Sequence, residues 1–130
     1  MRSDWQNAAV SGDVPTLAKL LADGTDIDCC DRYGQTALML ASLRGRGDAV
    51  RSLLKWNAAL DVTAKFSLSA LMLAIINRHT AVARLLLEAG ADTSIKGTGA
   101  PGFAGKTAYD LAFESQQFEL AELIQRRRHK

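Results

Sequence analysis

The residue types best suited to chemistry fall in three places. Ala100-Pro101-Gly102-Phe103-Ala104-Gly105-Lys106-Thr107 satisfies a permissive phosphate-loop pattern in which Ala replaces the first Gly. Such a loop curls backbone N–H groups round a phosphate, puts its Lys on the outer oxygens and its Thr on magnesium. Cys29-Cys30, flanked by Asp28 and Asp31, sets two thiols beside two carboxylates, the residue types of a metal or redox site. The run Arg126-Arg127-Arg128-His129-Lys130 is the one concentration of positive charge, a candidate contact for an acidic partner or nucleic acid.

The elements that would have to position these residues do not follow from the pattern. A phosphate loop needs a buried strand before it, a long helix after it, and a metal-holding Asp at the end of another strand. Leu85-Leu86-Leu87 reads as helix instead, and only 23 residues follow Thr107. Nucleotide binding at Ala100–Thr107 is therefore kept as the alternative function. Zinc takes about four ligands in tetrahedral disposition, and His79 and His129 lie far from Cys29 in the chain. A bond between adjacent cysteines would be strained. No metal, cofactor, disulfide framework or catalytic group is expected. Asp13 and Asp48 sit just ahead of helical stretches, where a carboxylate caps and suits the dipole. Cations closing a final helix have an equally structural use.

Composition narrows the class. Sixteen Lys plus Arg against fourteen Asp plus Glu leave a net charge of +2 over 130 residues, which gives no reason to expect nucleic acid or an anionic membrane as main partner. No apolar run approaches the roughly 18 residues of a membrane-spanning helix, and Asp4, Gln6 and Asn7 interrupt any secretory h-region. With its unpaired thiols, the chain is expected to be a cytoplasmic monomer.

What the chain does contain is a repeat. Ser3, Thr36, Ser69 and Thr107 are spaced by 33, 33 and 38 residues, and each precedes an apolar run as a helix-opening hydroxyl. Two positions on stand Trp5, Leu38, Leu71 and Tyr109; five positions on, always Ala: Ala8, Ala41, Ala74 and Ala112. A small residue recurring at one helical site means helices stacked too closely for anything larger. Second helices carry Leu20-Leu21, Leu53-Leu54 and Leu86-Leu87, an apolar stripe with Leu17, Val50 and Ala83. They stop at Gly24, Asn57 and Gly90, residues that tolerate left-handed backbone. Short extended segments such as Ile27-Asp28-Cys29 lead to tips, of which Asp31-Arg32-Tyr33-Gly34 is the cleanest turn. The period lengthens once, by five residues, at the Gly-rich stretch 96–106 with its exposed-looking Phe103. Insertions in repeats usually project from one face, often the binding face.

Turn, helix, turn, helix on a 33-residue period resembles the ankyrin-repeat family over nearly the whole chain. That family's helix-opening Thr-Pro-Leu-His stands here as Thr36-Ala37-Leu38-Met39, Ser69-Ala70-Leu71-Met72 and Thr107-Ala108-Tyr109-Asp110. Its closing Leu-Leu-x-x-Gly-Ala-Asp stands as Leu86-Leu87-Glu88-Ala89-Gly90-Ala91-Asp92. The Pro is always replaced, and Met in place of His at Met39 and Met72 implies a drier spine with fewer hydrogen bonds. The resemblance implies one all-α repeat solenoid over 1–130, with units at about 1–30, 31–63, 64–96 and 97–130 and short β-hairpin tips. The first unit lacks a tip, and Gln125 replaces Leu at the last, as more polar end units should. Four units clear the minimum of about three for a shared core, so the domain is expected to be complete.

Function then follows as non-catalytic protein binding through a concave face, with an inhibitor or immunity-type partner as the more specific form. Carried over position by position, the partner-binding residues are Arg32, Tyr33, Gln35, Leu43 and Arg44 in the second unit. Lys65, Phe66, Leu68, Ile76 and Asn77 follow in the third, and Phe103, Glu114 and Ser115 in the fourth. Tyr33, Phe66 and Phe103 are the expected anchors, since aromatics bury much area at low entropic cost. Inward folding of Phe66 and Leu68 is the competing expectation, because the third tip lacks the Asp and Gly of the second.

Overall fold

A computed structural model describes residues 1–99 and 102–128, the side chain of Arg128 excepted. Among these, eight α-helices run in order: α1 (Ser3–Ser11), α2 (Val14–Ala22), α3 (Ala37–Leu43), α4 (Gly47–Lys55), α5 (Ala70–Ile76), α6 (Thr80–Glu88), α7 (Ala108–Glu114) and α8 (Phe118–Arg128). They form four antiparallel pairs in two layers. The first helices stack α1 on α3 on α5 on α7, and behind them α2, α4, α6 and α8 form the second row. None of these helices is long and apolar enough to cross a membrane.

Three of the four helix-opening hydroxyls do the work their spacing implies. Thr36, Ser69 and Thr107 have extended backbone, and their oxygens accept the N–H of Met39, Met72 and Asp110, each at 3.3 Å. Ser3 does not: α1 already includes it, Arg2 occupies the cap position without a side-chain bond, and Asp4 Oδ1 accepts the Trp5 N–H instead. Ser3, as the first residue of α1, lacks the extended backbone that a cap requires. At Thr36 the Met substitution also leaves less unmet than the sequence implies, because Met39 Sδ accepts the Thr36 N–H at 3.5 Å.

The repeated alanines Ala8, Ala41, Ala74 and Ala112 are buried where first helices pass one another. Leu17, Val50, Leu53, Ala83 and Leu86 are fully enclosed between the rows. Each such Leu or Val contributes about 1.5–3 kcal/mol relative to an exposed side chain. Second helices end on left-handed Gly24, Asn57 and Gly90. Asp13 caps α2 by accepting the Thr16 N–H, whereas Asp48 lies inside the first turn of α4 and pairs with Arg51.

Two ladders of polar contacts lock successive pairs in register. Arg46 Nε donates to Val10 C=O at 3.0 Å, His79 Nε2 donates to Leu43 C=O at 3.0 Å, and Gln117 Nε2 donates to Ile75 C=O at 2.9 Å. Each side chain lies ten residues beyond its helix-opening hydroxyl and satisfies a carbonyl near the end of the preceding unit's first helix. On the other side, Asp28 Oδ1 accepts the Ala59 N–H and Asp61 Oδ1 accepts the Asp92 N–H, both at 2.8 Å.

The tips reverse the chain without becoming strands. Asp31 N–H donates to Gln35 C=O (3.0 Å) and Ala64 N–H to Leu68 C=O (3.1 Å), each followed at once by a helix-capping hydroxyl that leaves no length for pairing. The isolated bridge Gly97–Ala104 is the one β contact among the described residues, in place of the hairpins expected from the sequence. The insertion uses the same closure, with Gly97 N–H donating to Lys106 C=O at 2.9 Å. Nine positions rather than four separate those partners, so the five added residues loop out and the stacking register survives.

Candidate partner-binding groove

The second and third tips, the ends of α3 and α5, and the insertion enclose a groove of ≈ 310 Å³. Its lining includes Gln35, Leu43, Lys65, Phe66, Leu68, Ile76, Asn77 and Phe103, eight residues singled out by the repeat frame, together with Ala64 and Leu73. Leu43 and Ile76 arrive there because they end α3 and α5 one repeat apart. Leu68, only 5 % exposed, is floor and not a reaching contact residue. Asn77 is also partly committed, since its Nδ2 donates to Leu73 C=O at 2.8 Å. Leu73 was legible as a lining residue: Leu40, Leu73 and Leu111 recur at one position of the repeat.

One wall is held under backbone strain. Phe66 has φ 64° and ψ 20°, and Ser67 follows with φ 57°. Left-handed backbone costs an L-residue about 1–2 kcal/mol, so the surroundings must hold it there. Ser67 N–H donates to Ala64 C=O at 2.9 Å, Thr98 N–H donates to Phe66 C=O at 2.8 Å, and the hydroxyls of Ser67 and Thr98 meet at 3.1 Å. The Phe66 ring lies 5.7 Å from that of Phe103 and carries the Lys65 ammonium 5.0 Å from its centre. A Cβ on Gly99, whose φ is +79°, would come within 2.9 Å of the same ring. Phe66 therefore turns onto the insertion, and Phe103 is half-buried against it instead of projecting freely.

The other singled-out residues lie elsewhere. Tyr33 is 57 % exposed at its tip, with the Arg32 guanidinium 5.6 Å from its ring centre; both border a separate depression with Met1 and Gln6. Arg44 closes α3 next to Leu43 and is exposed. Glu114 does not line the groove: its Oε2 pairs with Lys106 Nζ at 2.8 Å. Ser115 Oγ donates to Leu111 C=O at 2.7 Å and is spoken for.

That geometry also disposes the candidate chemistry. Lys106 is held by Glu114, and the Thr107 hydroxyl is engaged with Asp110 through a reciprocal cap. The two groups a phosphate loop needs free are thus occupied by the helix start; Ala100 and Pro101 of that stretch lie outside the described residues. Cys29 and Cys30 are free thiols, Cys29 half-buried and Cys30 exposed. Burial is the main cause that pushes the Cys29 thiol above its usual range. Of the basic run, Arg126 pairs with Glu122, while His129 and Lys130 are outside the described residues.

Sequence reasoning missed the aromatics of the last unit. Phe113 and Phe118 are 52 % and 54 % exposed, their rings 5.3 Å apart, and Tyr109 stacks on Phe113 at 5.9 Å. Ala9, Ser42 and Ile75 hold the Phe113 position in the earlier units and are fully covered by the unit that follows.

A two-layer helical solenoid with a preorganised apolar groove, and no nucleophile or acid–base pair at it, is a binding scaffold of the repeat-array class. The family model described as Ankyrin repeats (3 copies) matches residues 5–97. The chain belongs to the ankyrin-repeat family, whose units serve as protein-interaction modules. It is 32 % identical over 90 residues to the putative ankyrin repeat protein YahD of Escherichia coli K12, covering 69 % of this chain and 45 % of that one. It is 38 % identical over 85 residues to Inversin of Danio rerio, covering 65 % of this chain and 8 % of that protein. The chain thus spans less than half the length of either relative. Among solved structures, it is similar to a chain from the complex of a predatory endopeptidase of Bdellovibrio bacteriovorus with an immunity protein. There the TM-score is 0.83 at 29 % identity, over 95 % of this chain and 62 % of that one.

Proposed function

We propose that this chain is a non-catalytic blocker or escort of one protein partner, which it holds in the concave groove between the second and third tips. The observation that carries this reading is the convergence of eight repeat-frame contact residues from three units on one apolar depression. Stacked helices and the two inter-unit ladders preorganise that surface, so little ordering entropy opposes binding. The similarity to a chain from an endopeptidase–immunity protein complex supports an inhibitor or immunity-type role. The protein works as a cytoplasmic monomer, in keeping with a net charge of +2 and two free thiols, and needs neither nucleic acid nor membrane. Ile76→Gln tests the site by placing a neutral amide on the apolar lining. Affinity capture from native cells should lose the partner with this variant while far-UV circular dichroism stays unchanged. Capture of the same protein at undiminished yield would remove the groove from consideration.

A further inference from the structure

The groove's rim is positively charged, and its cations belong to those that no acid engages. Arg2, Arg51, Arg84, Lys106 and Arg126 each pair with a carboxylate, and Arg46 and Arg78 donate to backbone carbonyls. Among the described residues no carboxylate pairs with Lys65, which lines the groove, with Arg44 beside the lining residue Leu43, or with Arg32 on the adjoining tip. The acids of the second tip and of the end of α7 are engaged elsewhere. Asp31 Oδ1 accepts the N–H groups of Tyr33 and Gln35, both at 2.9 Å, and Glu114 holds Lys106. No carboxylate lines the groove itself. An apolar floor with unmatched positive charge along one rim is the negative image of its ligand.

Resting on the groove reading above, we propose that the occupant is a segment of the partner protein that inserts one bulky apolar side chain. This side chain lies against Leu43, Ile76 and the Phe66–Phe103 wall, and the segment sets two or more Asp or Glu residues against Arg44 and Lys65. A volume of ≈ 310 Å³ is at the small end of the range of about 300–1,000 Å³ for ligand cavities, which suits side chains rather than a large cofactor. The lining speaks for a peptide over a polyanion, because it is mostly apolar and Lys65 is its one cation, too little charge to track a phosphate backbone. Rim charges act mostly on encounter and on partner choice, and each exposed pair is worth about a two- to fivefold change in affinity. Removing both partners should weaken binding about tenfold and flatten its salt dependence.

A random-peptide display library, panned on the full chain, tests this directly. The intact protein should enrich peptides carrying one Leu, Ile, Phe or Trp within a few positions of at least two acids. Ile76→Gln should enrich none of them, and Arg44→Glu with Lys65→Glu should lose the acidic preference while keeping the apolar one. Enrichment of apolar peptides without acids, abolished by Ile76→Gln, would overturn the charge assignment and leave the groove standing. Acid-bearing peptides that survive Ile76→Gln would overturn the groove itself. Failure to enrich any peptide would reject a linear segment as occupant, and displacement of the selected peptide by an equal concentration of polyuridine would hand the rim to nucleic acid.

Discussion

Replacing Phe66 by Gly should leave the protein more stable than replacing it by Ala, a reversal of the usual order. In ordinary helix or strand backbone, Gly is less stable than Ala by about 0.5–1 kcal/mol, because it loses more conformational freedom on folding. At Phe66 the backbone is left-handed, with φ 64° and ψ 20°. Any residue with a Cβ suffers about 1–2 kcal/mol there, and only Gly escapes it. Both variants forfeit the ring and its contact with Phe103 at 5.7 Å. Full burial would make that loss about 3–5 kcal/mol, so a half-buried ring should cost about half as much. The two variants share this loss, and their difference isolates the backbone: about 0.5–1 kcal/mol in favour of Gly. Urea unfolding followed through the buried Trp5 reads it out as a midpoint about 0.3–0.5 M higher for Phe66→Gly, at an unchanged slope of about 2 kcal/mol per molar. Should Phe66→Ala unfold at the higher urea concentration, Phe66 is not strained, and its status as a wall held in place by the insertion falls with it.

Three further outcomes are expected. Ser42 is fully buried and its Oγ has no partner among the described residues, so Ser42→Ala should stabilise the chain by about 1 kcal/mol in the same titration; a loss of stability would reveal a partner for the hydroxyl. Gly45 has φ +71°, and a Cβ there would lie 2.5 Å from His79 Nδ1, a ring tethered to Leu43 C=O. Gly45→Ala should therefore cost about 2–3 kcal/mol, against about 1 kcal/mol for Gly24→Ala in open space, and equal costs would mean that the His79 tether is idle. Iodoacetamide near pH 8 should label exposed Cys30 well before Cys29, whose thiol is pushed up chiefly by burial; fragment-ion mass spectrometry resolves the adjacent pair, and faster labelling at Cys29 would contradict its burial.

The repeat was legible because its positions obey local rules. A hydroxyl must cap, an Ala must let helices pass, and a Gly or Asn must close a turn, whatever the partner unit does. Thr36, Ala74 and Asn57 could be read one residue at a time. The errors fall where the deciding contact comes from a segment some 31 to 37 residues away in sequence, as between Ser67 and Thr98 or Phe66 and Phe103. Phe103 sits in a Gly-rich loop and looks free, yet the third tip supplies its cover. Glu114 follows the concave-face frame, but Lys106, which stands where Gln35 and Leu68 stand in the earlier units, pairs with it. Phe113 escaped notice for a different reason: Ala9, Ser42 and Ile75 at the same repeat position are buried, and the exposure of Phe113 is a property of packing that no local pattern records.

The groove's asymmetry follows from what the array does and does not need. Stacking is satisfied by the capped helices, the buried alanines and the two ladders, all of which repeat. The insertion adds nothing to that list, since Gly97 and Lys106 close it with the same bond that closes the uninserted tips. Its residues are thus free of the repeat's demands, and yet they are anchored: Thr98 bonds the third tip, Gly99 lies on the Phe66 ring, and Phe103 packs beside it. Phe66 in turn occupies a conformation that its counterpart Tyr33 in the second tip does not adopt, the left-handed residue there being Gly34, the counterpart of Ser67. Strain accepted in a tip, relieved by nothing in the stack and matched only by the insertion, has its effect on one feature alone, the wall facing Leu43 and Ile76. Shape on that side is set by the irregular residues, while charge comes from Lys65 over the Phe66 ring and from Arg44 beside Leu43, so charge and shape can be altered separately without disturbing the scaffold that holds them.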